Sequence, residues 1–212
     1  MGVTLIREFY ANAKMTSREK QDDPHLITFV RRKAVDFSLE SIRVILQFPR
    51  LVDTPQSYEA RKAGDDQRLN DVLRDISEAF ATWKLDKDHN PSQLKHRELN
   101  PTTKGWYEFV RRSLLPSSNN SKVTVERVVL IRSIMEGLDV KAEKLISDNI
   151  LAAAESKEDR SRHPFLSIIY RLLYENRIQQ IRGDELVPIE RLITAEGMER
   201  NRYIQIQQEV HQ

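Results

Sequence analysis

The sequence predicts a mainly α-helical single domain with one small β-hairpin near its N-terminus. Two observations lead there. Apolar residues recur at three- and four-residue spacing in six or more segments, as one-faced helices require. A period-two alternation is persuasive in only one place, where Ile27 and Phe29 are followed by Val35 and Phe37. Of the 212 residues 39% are apolar and 31% are charged, an ordinary globular balance with enough chain to bury a core. The expected division is one domain over residues 1–195 and a polar tail over 196–212.

Taken in order, residues 3–13 place Leu5, Phe9 and Tyr10 at helical spacing, and Asp22, Asp23 and Pro24 break the pattern. The hairpin follows, turning across Arg31, Arg32 and Lys33. Ser38 is a cap candidate for a helix through Ile42 and Leu46 that Pro49 stops. Asp65 precedes Leu69, Val72, Leu73, Ile76 and Phe80, a stripe predicting one helix with Phe80 on its buried face. Residues 84–98 are polar and read as a surface loop. Asn100 as cap and Pro101 at the first helical position open a helix lined by Trp106, Phe109, Val110 and Leu114. Thr124 is expected to cap a helix through Val128, Ile131 and Met135 that closes at Gly137, and Asp139 to cap the next, through Leu145, Ile146 and Ile150. Pro164 opens a last helix bearing Phe165, Ile168, Ile169, Leu172 and Leu173. Trp106, Phe109, Leu114, Val128, Leu145, Ile169 and Leu172 are expected to share one core, with Trp106 fully buried.

With 34 Lys and Arg against 32 Asp and Glu the net charge is +2, so nucleic acid could be held only through a local patch. The absence of Cys excludes disulfides, thiolate nucleophiles and Cys-based metal centres. No stretch reaches the ~20 apolar residues that cross a bilayer, and Ile6 stands where a myristoylation signal wants Ser or Thr. The expectation is a nuclear or cytoplasmic protein with no membrane partner.

Ordered segments of the chain resemble a domain of plant mobile elements, the plant transposon protein family. They are Leu5-Ile6-Arg7-Glu8-Phe9-Tyr10-Ala11-Asn12, Val30-Arg31-Arg32-Lys33-Ala34-Val35-Asp36-Phe37-Ser38, and Leu99-Asn100-Pro101 leading to Trp106-Tyr107-Glu108-Phe109-Val110. Leu114-Leu115-Pro116-Ser117, Val123-Thr124-Val125-Glu126-Arg127 and Gly137-Leu138-Asp139-Val140 continue the series. The resemblance covers roughly residues 5–185 and implies a transposon or retrotransposon origin. It implies no catalytic residues. Arg32 departs from the pattern, standing where a Gly is common, so the hairpin must either hold a left-handed Arg or use a different turn.

A three-carboxylate transposase needs a central multi-stranded sheet to gather its acids around two metal ions, and one hairpin does not supply it. Asp86, Asp88, His89 and His96 lack the spacing of a metal loop, and Lys84 and Lys87 add repulsive charge among them. Neither G-x-S-x-G nor a phosphate-cradling Gly motif occurs. The helices on either side of Gly137 imitate a helix-turn-helix, yet the second carries Glu143 and Asp148 beside Lys141 and Lys144, a mixture that DNA partly repels. Arg31, Arg32 and Lys33 at the hairpin tip, Arg111 and Arg112, and Arg160 and Arg162 are the candidate phosphate contacts.

The expected function is therefore association without catalysis, with protein partners or copies of itself and weakly with nucleic acid, using no cofactor, metal or small-molecule substrate. A DNA-binding component of transposition is the alternative. Added magnesium, manganese or zinc is expected neither to raise the melting temperature nor to produce strand cleavage. Metal-dependent DNA nicking that disappears on mutation of one carboxylate reverses the non-catalytic reading.

Overall fold

The computed structural model describes residues 3–16, 25–52, 57–58, 66–117, 119–156, 163–181 and 184–185. Seven α-helices and two three-stranded antiparallel sheets lie among them, so the domain is mixed α and β rather than helical with a single hairpin. In chain order the elements begin with α1 (Val3–Asn12), β1 (Lys14–Thr16), β2 (His25–Val30), β3 (Lys33–Asp36) and α2 (Leu39–Leu46). They continue with α3 (Asp66–Ile76), β4 (Lys84–Leu85), β5 (Pro91–Lys95), a 3-10 turn (His96–Glu98) and α4 (Pro101–Ser113). β6 (Lys122–Thr124), α5 (Val125–Met135), α6 (Ala142–Glu155) and α7 (Leu166–Glu175) complete the described chain. The expected tail, 196–212, lies outside the described residues.

The missed strands have a common cause. The first sheet runs β1-β2-β3 and the second β4-β5-β6. β1, β4 and β6 are only two or three residues long, too short to display an alternation. β5 contributes one buried side chain, Leu94, which pairs across the ladder with the equally buried Val123. A single cross-strand apolar pair anchors that register. What reads as a polar loop over 84–98 thus holds an edge strand and the central strand of a sheet.

α1 lies on β2, where the buried Thr28 hydroxyl donates to the Phe9 carbonyl (2.7 Å) and Phe9 packs on Phe37 at 5.5 Å between rings. α6 and α7 pack against the same half of the molecule, touching α1 and α2. The other half is built on α5, which packs against α3, α4, β5 and β6. Val128, Val129, Leu130, Ile131 and Ser133 of α5 are all buried, and the Ser133 hydroxyl is satisfied by the Val129 carbonyl at 2.8 Å. One apolar core runs through both halves.

Helix ends follow their side chains only in part. Asn100 Oδ1 accepts from the Thr103 N–H at 2.9 Å, with Pro101 first in the helix, as expected. Gly137, at φ +70°, ends α5: its N–H reaches the Ile134 carbonyl and that of Leu138 reaches Ser133. Ser38 and Thr124 make no side-chain cap bond. Asp139 caps nothing, since α6 begins at Ala142 and the Asp139 carbonyl instead accepts from the Tyr58 N–H (2.9 Å). α3 stops at Ile76 because Ser77 bridges to Leu99, which leaves Phe80 in solvent instead of on the buried stripe.

On α4 the expected Val110 and Leu114 are buried, but Thr103 and Tyr107 take the inward places assigned to Trp106 and Phe109. Thr103, Tyr107, Val110 and Leu114 point inward, and the Tyr107 hydroxyl donates to the carbonyls of Asn119 (3.1 Å) and Lys122 (3.3 Å). Trp106 is only half-buried and packs edge-to-face on Phe109. Tyr107→Ala is expected to cost about 3–5 kcal/mol and Trp106→Ala about half as much, measured by urea unfolding. A larger loss at Trp106 contradicts this packing.

Candidate nucleic-acid interface

The basic residues predicted from the sequence separate into two places. The hairpin tip is a two-residue turn in which Arg31 (φ 52°) and Arg32 (φ 63°) both hold left-handed backbone. That geometry matches the twist of the flanking strands and is ordinarily supplied by Asn and Gly. The chain therefore tolerates a left-handed Arg32 rather than choosing another turn.

Tertiary contacts hold the turn. The Arg31 N–H donates to Glu8 Oε1 of α1 at 2.7 Å, and its guanidinium bonds Asp184 at 2.5 Å and approaches Glu8 at 3.6 Å. Asp184 is 4% exposed at its side chain, so this contact is a staple between hairpin, first helix and the segment past α7. The same segment is pinned by Val3 N–H to the Glu185 carbonyl (2.6 Å) and by the Arg7–Glu185 ion pair (3.1 Å). Glu8 and Asp184 are thus engaged by Arg31, while Arg32 and Lys33 remain exposed.

Arg177 joins this corner, because Lys33 Nζ donates to its carbonyl at 3.0 Å. It is the residue after the cap of α7 and is left-handed at φ 54°, with its N–H on the Tyr174 carbonyl and that of Ile178 on Leu173. Six non-glycine residues among the described ones have positive φ; three are arginines, two of them in the hairpin turn and the third tied to it through Lys33. Arg177 is visible in the sequence only as part of a diffuse basic bias. Tyr174 beside it was missed, although Tyr170 and Tyr174 fall four apart and off the Ile169, Leu172, Leu173 stripe.

Arg111 and Arg112 form the second place. The Arg111 side chain is 13% exposed, bonded to Glu108 (2.7 Å) and to the Ser117 carbonyl (3.2 Å). Arg112 is exposed and shares Glu108 at 3.3 Å. One carboxylate between two guanidiniums makes this a structural ion-pair cluster that fixes the loop after α4. Arg160 and Arg162 lie outside the described residues.

The remaining candidates are dispersed. Asp86 Oδ1 accepts from the N–H groups of Asp88 (2.8 Å) and Asn90 (3.0 Å), which shapes the β4–β5 turn. His96 instead packs on Tyr107, 5.0 Å between rings. Among the described residues no group of three or more His, Asp or Glu gathers as metal ligands. α5 and α6, which imitate a helix-turn-helix, pack chiefly into different halves of the molecule.

Burial opposes ionisation of Glu108, but the Arg111 hydrogen bond and the charges of Arg111, Arg112 and His96 outweigh it and hold the carboxyl below its ordinary value of 4.5. Burial pushes His96 below its ordinary 6.5, with Lys104 and Arg111 adding to the effect against Glu108. Both shifts mean that the unfolded chain binds more protons, so stability rises with pH and is lost as pH falls. The His96 contribution is lost as pH drops below about 6.5, and that of Glu108 is lost later, below the ordinary carboxylate range. Glu108→Gln is expected to flatten the acidic part of a stability–pH curve and, by removing the carboxylate that partly offsets burial at His96, to deepen the loss below neutrality; unchanged acid unfolding refutes the assignment.

No curated protein and no solved structure matches the chain. A family model, the putative plant retrotransposon-related domain, matches residues 2–179 and so takes in both sheets and all seven described helices. By that match over most of its length, the chain belongs to the plant retrotransposon-related domain family.

Proposed function

We propose that this retrotransposon-related domain acts by association rather than catalysis, and that it engages nucleic-acid phosphates weakly through the corner of Arg32, Lys33 and Arg177. One observation carries the reading: arginine occupies left-handed positions at Arg31, Arg32 and Arg177 where Gly costs less. A left-handed L-residue costs roughly 1–2 kcal/mol. Arg31 repays it through Glu8 and Asp184. Arg32 is exposed, which leaves its side chain available for a contact outside the fold. Phosphate binding is such a contact, and it is insensitive to base sequence. This reading fits a nuclear or cytoplasmic protein and requires no cofactor. A DNA-binding component of transposition needs base-edge contacts in addition.

Protein association is the second reading. Phe80, 72% exposed, precedes the short edge strand β4 by four residues, and Leu85 within that strand is also exposed, two large apolar side chains left in solvent. A monomer by light scattering at every concentration removes its self-association form.

Arg32→Gly separates stability from function. It is expected to stabilise the fold by up to about 1 kcal/mol, relieving the left-handed backbone, while weakening binding to polyanions and making its salt dependence shallower. Destabilisation, or unchanged binding of a nucleic-acid probe that the unsubstituted protein does bind, defeats the reading.

A further inference from the structure

We infer that the groove beside this corner selects single-stranded over double-stranded nucleic acid, by stacking a base on Tyr174 while Arg32, Lys33 and Arg177 hold the adjoining phosphates. The inference rests on the association reading above and adds to it a ligand class and a stacking residue. Two shallow concavities meet at the end of α7, one lined by Tyr170, Tyr174, Ile178, Gln179 and Gln180, the other adding Glu175 and Arg177. Tyr174 is 70% exposed, although Tyr is a residue whose ring is costly to leave in water. Its neighbour Ile178 is buried against the core and anchors the floor of the groove.

The chemistry of the lining is that of a single-strand site. An exposed aromatic face accepts any base, and basic side chains alongside track the backbone. Gln179 and Gln180, both exposed, offer amide donors and acceptors that unpaired base edges can use. Arg177 belongs to both features, lining the groove while its carbonyl receives Lys33 from the hairpin tip. The acids do not cancel the charge. Glu8 and Asp184 are engaged by Arg31, and Glu175 of the groove is outnumbered by the exposed Arg32, Lys33, Arg171 and Arg177. A duplex hides its base faces and can use the phosphate contacts alone, so discrimination falls to Tyr174.

Fluorescence anisotropy of the full chain with labelled oligothymidylate and with a duplex of equal length, at low salt, tests this. The expected result is tighter binding of the single strand, a loss of about tenfold for Tyr174→Ala on that probe alone, and retention by Tyr174→Phe. The double variant Arg32→Ala, Lys33→Ala should weaken both probes. Equal binding of the two probes, or a Tyr174→Ala variant that still prefers the single strand, overturns the inference while the phosphate-binding corner stands. Binding of neither probe by the unsubstituted protein overturns both. A dimer that Tyr174→Ala dissociates likewise overturns the inference, since the tyrosine then serves a second copy of the chain. Circular dichroism of each variant confirms that the fold is intact, and Tyr174, being exposed, is a position where substitution leaves it so.

Discussion

A helix buried on every side must have neighbours on every side, and α5 sets that condition for its half of the domain. Val128, Val129, Leu130 and Ile131 are consecutive and all hidden from solvent, so they point in four directions around the axis. α3 and α4 cover part of that circumference, and β5 with β6 covers the rest. The second sheet exists for this reason: three short strands without much apolar character of their own are held because Leu94 and Val123 close the core beneath the helix. Arg127 on the same helix reaches the carbonyls of Leu115 and Pro116, tying down the crossing segment between α4 and β6.

The first half of the domain is closed differently, by charge as well as by packing. Arg31 sits where a turn, a helix and the segment beyond α7 converge, and its two acidic partners come from residues far apart in sequence. Replacing water around a guanidinium by two carboxylates is favourable only where hydrogen bonds fix the geometry, and here the backbone N–H of the same arginine contributes one. The strain of the left-handed turn and its compensation therefore belong to one residue. Arg32, next to it, bears similar strain without comparable internal bonds, and this asymmetry is why the proposed function centres there.

Near-neutral net charge conceals how unevenly the positive groups are committed. Arg111 is spent on Glu108 and a backbone carbonyl, and Arg132 on Asp75 and Glu136. Pairs of this kind organise loops and helix ends more than they add to stability. At the hairpin corner the acids Glu8 and Asp184 are already engaged by another cation, so a local positive surplus survives there.

The sequence by itself determined the helices whose apolar spacing exceeds two turns, together with the hairpin across Arg31 and Arg32, the Asn100–Pro101 start, the Gly137 stop and the family to which the chain belongs. Those features are local: a period, a cap or a left-handed stop is written in residues that touch one another along the chain. The tertiary structure alone decided the two sheets, the face of α4 that turns inward, and which arginines stay available. β1, β4 and β6 are too short to carry a pattern, Tyr107 rather than Trp106 faces the core because the Asn119 and Lys122 carbonyls meet its hydroxyl there, and Arg177 joins Lys33 across the fold. Each of these depends on partners brought close by folding, and a strand pairing or an ion pair leaves no period in either of its separate halves.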